Sequence, residues 1–201
     1  MAGTRATRPG GRSERVRAAV LAATADELLE RGFDELSVAS VARRAGVHHT
    51  TVYRRWPTRS ALLLDAALES TRQRMPAPDL GSLRDDLRAY LRSLAEALAD
   101  PRVAALVRSL IAAPAAQFAR ERRRYWEDRF GVVGEIVERA AARRELAPDV
   151  EPGRVIELIA GPMWMRMLLT GLAVDEPFLA RVVDDAVRAL RQADSPGDTT
   201  P

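Results

Sequence analysis

Apolar residues recur along this chain at three- and four-residue intervals, with no sustained two-residue alternation, and this pattern predicts an all-α protein. A first helix from Ser13 to Arg31 gathers Val16, Val20, Ala23 and Leu28 on one face, and Gly32 supplies its stop. Ser37 precedes a short helix whose Val38, Val41 and Ala42 face inward, and Gly46 ends it. A second short helix, His48 to Trp56, is halted by Pro57. Thr58 then caps a fourth helix, Arg59 to about Arg74, that buries Leu62, Leu63, Ala66 and Ala67. Prolines in Met75-Pro76-Ala77-Pro78-Asp79 mark a boundary. Beyond it, helices are predicted at about 82–99, 102–112, 115–145, 152–170 and 176–192, started by Ser82, Pro101, Pro114, Pro152 and Asp175. The organisation expected is a disordered basic arm (1–12), a helical domain (13–75), a larger helical domain (80–192) and a disordered tail (193–201).

Charge sharpens this division. All 31 basic residues are arginine, so arginine richness alone says little, but its distribution is polarised. The chain is net +5 through Met75 and net −2 after it. From Leu36 to Leu64 there are five arginines, both histidines and no acid, the footprint of a surface that meets phosphates; a solvated basic face is the alternative. The protein has no cysteine, which excludes disulfides and thiolate metal sites. No run approaches the ~20 apolar residues of a membrane span, and the first twelve residues lack the apolar core of a signal peptide. A cytoplasmic protein without membrane contact is expected.

Two short helices joined by a tight turn at Ala45-Gly46-Val47 form a DNA-reading unit, in which the second helix lies in the major groove. Val52 and Trp56, one turn apart, pin that second helix inward and leave His48, His49, Thr50, Tyr53 and Arg54 facing out. His48, His49 and Thr50 suit base edges, Arg54 a phosphate or guanine, and Tyr53 a phosphate. Thr51 and the free N–H groups of the first turn are placed for a phosphate, and Arg59 adds charge on the same side.

The stretch from Leu36 to Leu62, with Ala45-Gly46-Val47, Thr51-Val52-Tyr53 and Trp56-Pro57-Thr58-Arg59, resembles the DNA-binding domain of the tetracycline-repressor (TetR) family; the likeness runs from about Val16 to Leu68. The resemblance implies that Tyr53 and Arg59 clamp phosphates, that Ser37 is a phosphate-facing cap, and that His48, His49, Thr50 and Arg54 form the recognition surface. Arg59 stands where the family usually has lysine, Trp56 replaces the usual phenylalanine, and the paired histidines are less usual.

The resemblance also implies a C-terminal domain that binds a small-molecule effector and dimerises through its last two helices. The 152–170 segment is apolar nearly all round and needs cover on more than one face. A homodimer seam is expected to use Ile159 and Met163 with the stripe Phe178, Val182, Val183, Ala186 and Leu190. Phe118, Tyr125, Trp126, Phe130, Met163, Trp164 and Met167 are candidates for an effector pocket; plain core is the alternative reading of each. Arg166, a charge in an apolar helix, reads as one half of a structural salt bridge, with a ligand anion or an acid of the partner chain as the alternatives, and Arg120 to Arg124 read as a solvated face.

An enzyme is not expected: there is no Gly-rich phosphate loop, no cysteine, and the only histidines are adjacent. No metal or cofactor is expected either. The predicted function is a repressor that binds double-stranded operator DNA and is released by an unknown effector. The competing reading is a constitutive or architectural DNA-binding dimer.

Overall fold

A computed structural model describes residues 11–112 and 115–192 of the chain. The expected disordered tail, and the expected disordered arm as far as residue 10, lie outside the described residues. Among the described residues there are nine α-helices: α1 (Gly11–Glu35), α2 (Val38–Arg44), α3 (His49–Arg55), α4 (Arg59–Arg74), α5 (Leu83–Ala99), α6 (Pro101–Ala112), α7 (Ala115–Ala142), α8 (Pro152–Trp164) and α9 (Glu176–Gln192). Among the described residues there is no strand, and no helix is long and apolar enough to cross a membrane. The expected arm ends early, because Gly11 already begins α1. The stop expected at Gly32 is present as a break inside α1, where Gly32 takes φ 79° and ψ 176°, a conformation that residues with a Cβ avoid.

The chain divides into two compact units that interleave in sequence. The first comprises residues 1–70 and 101–122, so residues 101–122, read from sequence as part of the later domain, group with the DNA-reading helices. α6 packs on α1, and Arg102 Nε reaches Asp26 at 2.6 Å. Val20, Leu28, Val41, Val52, Leu62, Leu63 and Ala67 form the core of this unit, each 3% exposed or less. α2 is also tied electrostatically: Arg44, in its last turn, pairs with Glu27 (2.8 Å) and with Glu30 on α1. Burial would raise the Glu27 carboxyl, but hydrogen bonds from Ser40 and Arg44 and the charges of Arg31 and Arg44 bring it below its ordinary value. The Arg44 hydrogen bond does the same for Glu30.

The second unit comprises residues 71–100 and 123–201. Its core lies where α5, α8 and α9 meet. Ser82 caps α5 by accepting from the Asp85 N–H at 3.1 Å, and Pro152 opens α8 where its missing N–H costs nothing. Asp86, wholly buried, is satisfied by the Leu80 N–H (2.6 Å) and by Arg143 (3.0 Å). The helix expected through 170 is α only as far as Trp164 and continues as a π-helical segment, Met165–Thr170. Pro162 removes one i→i−4 donor just upstream, and Gly171, at φ 65°, closes the segment with an i→i−5 bond to the Arg166 carbonyl (2.8 Å).

Two expectations change here. Ile159, Met163, Phe178, Val182, Val183, Ala186 and Leu190, expected at a dimer seam, are each 6% exposed or less within the single chain. The stripe of α9 is covered by α5 and α8 of its own chain. Among the described residues Arg166 makes no salt bridge; its guanidinium lies 3.8 Å from the centre of the Phe178 ring and donates to the Ala173 carbonyl.

The carboxyls that hold Arg44 are held below their ordinary values in the fold, so their contribution is complete at neutral pH and is lost as pH falls through the lowered values. Arg44→Met is therefore expected to lower the urea midpoint at pH 7, and the gap from the parent chain should narrow by pH 3. A gap of equal size at both pH values, followed by tryptophan fluorescence, counts against this account.

Candidate nucleic-acid interface

The corner between α2 and α3 is built from backbone bonds that the sequence makes possible. Ser37, extended at φ −129° and ψ 147°, caps α2: its hydroxyl accepts from the Ser40 N–H at 3.0 Å, and Ser40 Oγ accepts in return from the Ser37 N–H at 3.4 Å. At the other end the Gly46 N–H bonds to the Arg43 carbonyl (3.2 Å) and the Val47 N–H to the Ala42 carbonyl (3.0 Å). This is the Schellman pattern, and it requires the φ of 67° that Gly46 supplies. Val47, half-buried, follows it.

α3 is fastened by its inner face. Val52 is wholly buried and Trp56 is 3% exposed, with the Trp56 indole N–H donating to Asp65 on α4 at 2.9 Å. His49, Thr50, Tyr53 and Arg54 are exposed, and the His49 ring meets Tyr53 edge-on at 6.5 Å. His48 departs from expectation. It is extended at φ −70° and ψ 137° and caps α3, its Nδ1 accepting from the Thr50 N–H (3.4 Å) and lying 2.8 Å from Thr50 Oγ1. The Thr51 N–H in turn bonds to the His48 carbonyl at 2.9 Å. Two of the first-turn donors expected to be free for a phosphate are thus used inside the corner. Thr51 is half-buried and lines a cleft of about 290 Å³ with Ser13, Val16, Arg17, Arg54 and Arg55. Arg17, absent from the sequence-based candidates, is held toward this cleft by Glu69 at 2.6 Å.

Thr58 caps α4 through the Ala61 N–H at 3.1 Å. Arg59, exposed, extends one guanidinium nitrogen to the carbonyls of Asp34 (3.1 Å) and Leu36 (3.3 Å), with its charge 5.2 Å from the centre of the Phe33 ring. It braces the link between α1 and α2, and the fork geometry leaves the remaining donors for another oxygen.

The proposed pocket residues are distributed between the units. Phe118 is wholly buried in the first, edge-on to Phe33 at 5.1 Å. In the second, Tyr125 is buried, Trp126 and Met167 are half-buried, and Phe130 is exposed; Trp126 stacks on Phe130 at 6.2 Å. Met163 is core and Trp164 half-buried. Sequence reasoning missed the polar residues beside Tyr125. Arg129 is 2% exposed, with Tyr90, Thr71 and Asp128 around it. Its signal was periodicity: Tyr125, Val133, Ile136 and Ala140 define the buried face of α7, and Arg129 falls on it.

Two short helices at a glycine corner, one face fastened to a core and the other offering His49, Thr50, Tyr53 and Arg54, define a helix-turn-helix DNA-binding protein. Residues 20–67 match the family described as bacterial regulatory proteins, tetR family, and residues 77–186 match the tetracyclin repressor-like C-terminal domain. The HTH-type transcriptional regulator YdeS of Bacillus subtilis is 31% identical over 90% of this chain and 92% of its own. AqdR of Rhodococcus erythropolis, also an HTH-type transcriptional regulator, is 35% identical over 83% of this chain and 80% of its own. The crystal structure of the TetR family transcription regulator SCO0332 superposes with a TM-score of 0.72 at 30% identity, covering 87% of this chain and 97% of that one. The chain belongs to the TetR family of helix-turn-helix transcriptional regulators.

Losing the reciprocal Ser37–Ser40 cap exposes an unsatisfied helix start, and Ser37→Ala is expected to cost about 1 kcal/mol of stability. Chemical denaturation checks this; a variant as stable as the parent shows that the cap does not hold the corner.

Proposed function

We propose that this regulator is a cytoplasmic repressor that binds a palindromic operator as a homodimer and is released by a small-molecule effector. The observation that carries the reading is the outer face of α3, exposed on a corner whose inner face is wholly buried, within a segment from Leu36 to Leu64 that holds no acid. A relative in Mycobacteroides abscessus, 32% identical over 89% of this chain, bears the name DNA-binding transcriptional repressor TetR, which supports repression. His49, Thr50 and Arg54 read base edges in this proposal. Tyr53, Thr51, Ser37 and Arg59 meet phosphates, and His48 shapes the start of α3 through its cap. Two such helices about 34–36 Å apart fit successive major grooves.

With the α9 stripe used internally, the dimer seam is assigned to the apolar side chains left in solvent on and after the π-helical segment: Met165, 54% exposed, Leu169, 77%, and Leu172, 58%. Leu169→Glu is expected to convert the dimer to monomer in sedimentation equilibrium and to weaken operator binding with it. A variant that stays dimeric places the seam elsewhere. The effector is assigned to the second unit, and α4, which carries Arg59 at its start and Arg72 near its end, is the element that would transmit its binding.

Selection of bound fragments from genomic DNA tests the reading: regularly spaced half-sites are expected, whereas salt-sensitive binding without sequence preference favours an architectural protein. On the selected operator, Arg59→Ala should weaken all duplexes alike and lower the salt slope by about 1, while His49→Ala should change which base is preferred. Uniform loss in His49→Ala reassigns that residue to the backbone.

A further inference from the structure

Arg129 is a buried cation whose hydrogen bonding the chain leaves unfinished. Its Nη2 donates to Asp128 at 2.6 Å and its Nη1 to the carbonyl of Met75, just past the end of α4, at 3.3 Å. Its Nε, buried with the rest of a side chain that is 2% exposed, has no hydrogen-bond partner among the described residues. Asp128 is also shared, because Arg72 hydrogen-bonds the same carboxylate through its other oxygen. Burial would raise the Asp128 carboxyl, but the two guanidiniums hold it below its ordinary value. One carboxylate thus serves two cations, and the charge of Arg129 is only partly balanced. Leaving a buried guanidinium N–H unmade costs more than a capping role at the end of α4 requires, since an exposed arginine can cap a helix without that cost. Two phenols complete the surroundings: Tyr90, 3% exposed, from α5 and hydrogen-bonded to Arg129, and Tyr125, 4% exposed, one turn before Arg129 on α7 and hydrogen-bonded to Thr71. Burial pushes the Tyr125 hydroxyl up to about 12 and raises Tyr90 as well, so at neutral pH both are uncharged groups able to donate to an oxygen.

We propose that Arg129, flanked by Tyr90 and Tyr125, is the anchor for an effector that is an organic anion, a carboxylate or sulfonate on an apolar aromatic body. The inference deepens the effector-released reading above and rests on it. The anion takes the Nε–H and competes with Asp128 for the guanidinium. Because Arg129 and Asp128 together hold the last turn of α4 through Met75 and Arg72, that competition alters the grip on α4.

The test uses the full-length protein and a matched pair of fluorescent probes: 8-anilinonaphthalene-1-sulfonate and N-phenyl-1-naphthylamine, the same rings without the sulfonate. Saturable binding of the sulfonate is expected at least about tenfold tighter than that of the neutral probe, the worth of one hydrogen bond to a charged group. Arg129→Met should remove that preference and leave the neutral probe unchanged. Since Arg129→Met places the fold at risk, Asp128→Asn supplies an independent reading. Removing the competing carboxylate should tighten the sulfonate several-fold without tightening the neutral probe, an effect that loosening of the fold would not produce. Equal binding of both probes by the parent chain, or an Asp128→Asn variant that binds the sulfonate no better, overturns the proposal. Operator binding is measured beside it: probes that bind without regard to charge while operator binding persists overturn this inference alone, whereas a parent chain that selects no operator overturns the regulator reading.

Discussion

A seven-residue helix has no stability of its own in water, because nucleation costs more than so few hydrogen bonds return. α3 is such a helix, and it must nevertheless present side chains to DNA with fixed geometry. Everything around it follows from that constraint. His48 closes its start and Trp56 its end, Val52 is the buried residue of its inner face, and the Trp56 indole is tied to Asp65 on α4. The Gly46 corner fixes the angle at which it leaves α2, and α2 is itself held to α1 by Arg44 between Glu27 and Glu30. Little is left for recognition beyond the outer face, which is why the proposed reading rests on so few residues.

The same economy bears on α4. Its first turn is capped by Thr58, Ser60 donates to Glu121 at 3.1 Å, and Arg59 reaches back to the carbonyls of Asp34 and Leu36. Its last turn is met by Arg72–Asp128 and by Arg129 on the Met75 carbonyl. Specific polar contacts thus meet this sixteen-residue helix in its first turn and again in its last. Exchange of a carboxylate for a ligand anion at Arg129 is a discrete event, and coupling between sites needs such two-state elements.

Much of the fold was legible because helical periodicity and its punctuation agree. Ser37, Gly46, Thr58, Ser82 and Pro152 each mark a boundary that the structure keeps, and Val20, Val41, Val52 and Leu62 fall in the core where their spacing put them. What was not legible depends on which partner an amphipathic face chooses. The stripe of α9 is equally compatible with its own chain and with a second copy, and the own chain claims it. Residues 101–122 carry no mark in their sequence of belonging beside α1. The role of His48 was hidden because a histidine can cap a helix as well as face a groove, and only φ and ψ tell the two apart.

The arginines show the same limit from the side of chemistry. With one residue type supplying every positive side chain, composition gives the amount of charge but not its use. Burial and partners separate the uses. Arg143 satisfies a wholly buried Asp86, Arg166 lies over Phe178, and Arg44 ties α2 to α1; a phosphate could take any of them only by breaking bonds the fold depends on. Arg54 stands exposed on the outer face of α3, where meeting a phosphate or a guanine breaks nothing. Arg129 differs from both groups, being buried yet incompletely bonded, and a small acidic molecule brought to it would gain a hydrogen bond that the folded chain does not otherwise make.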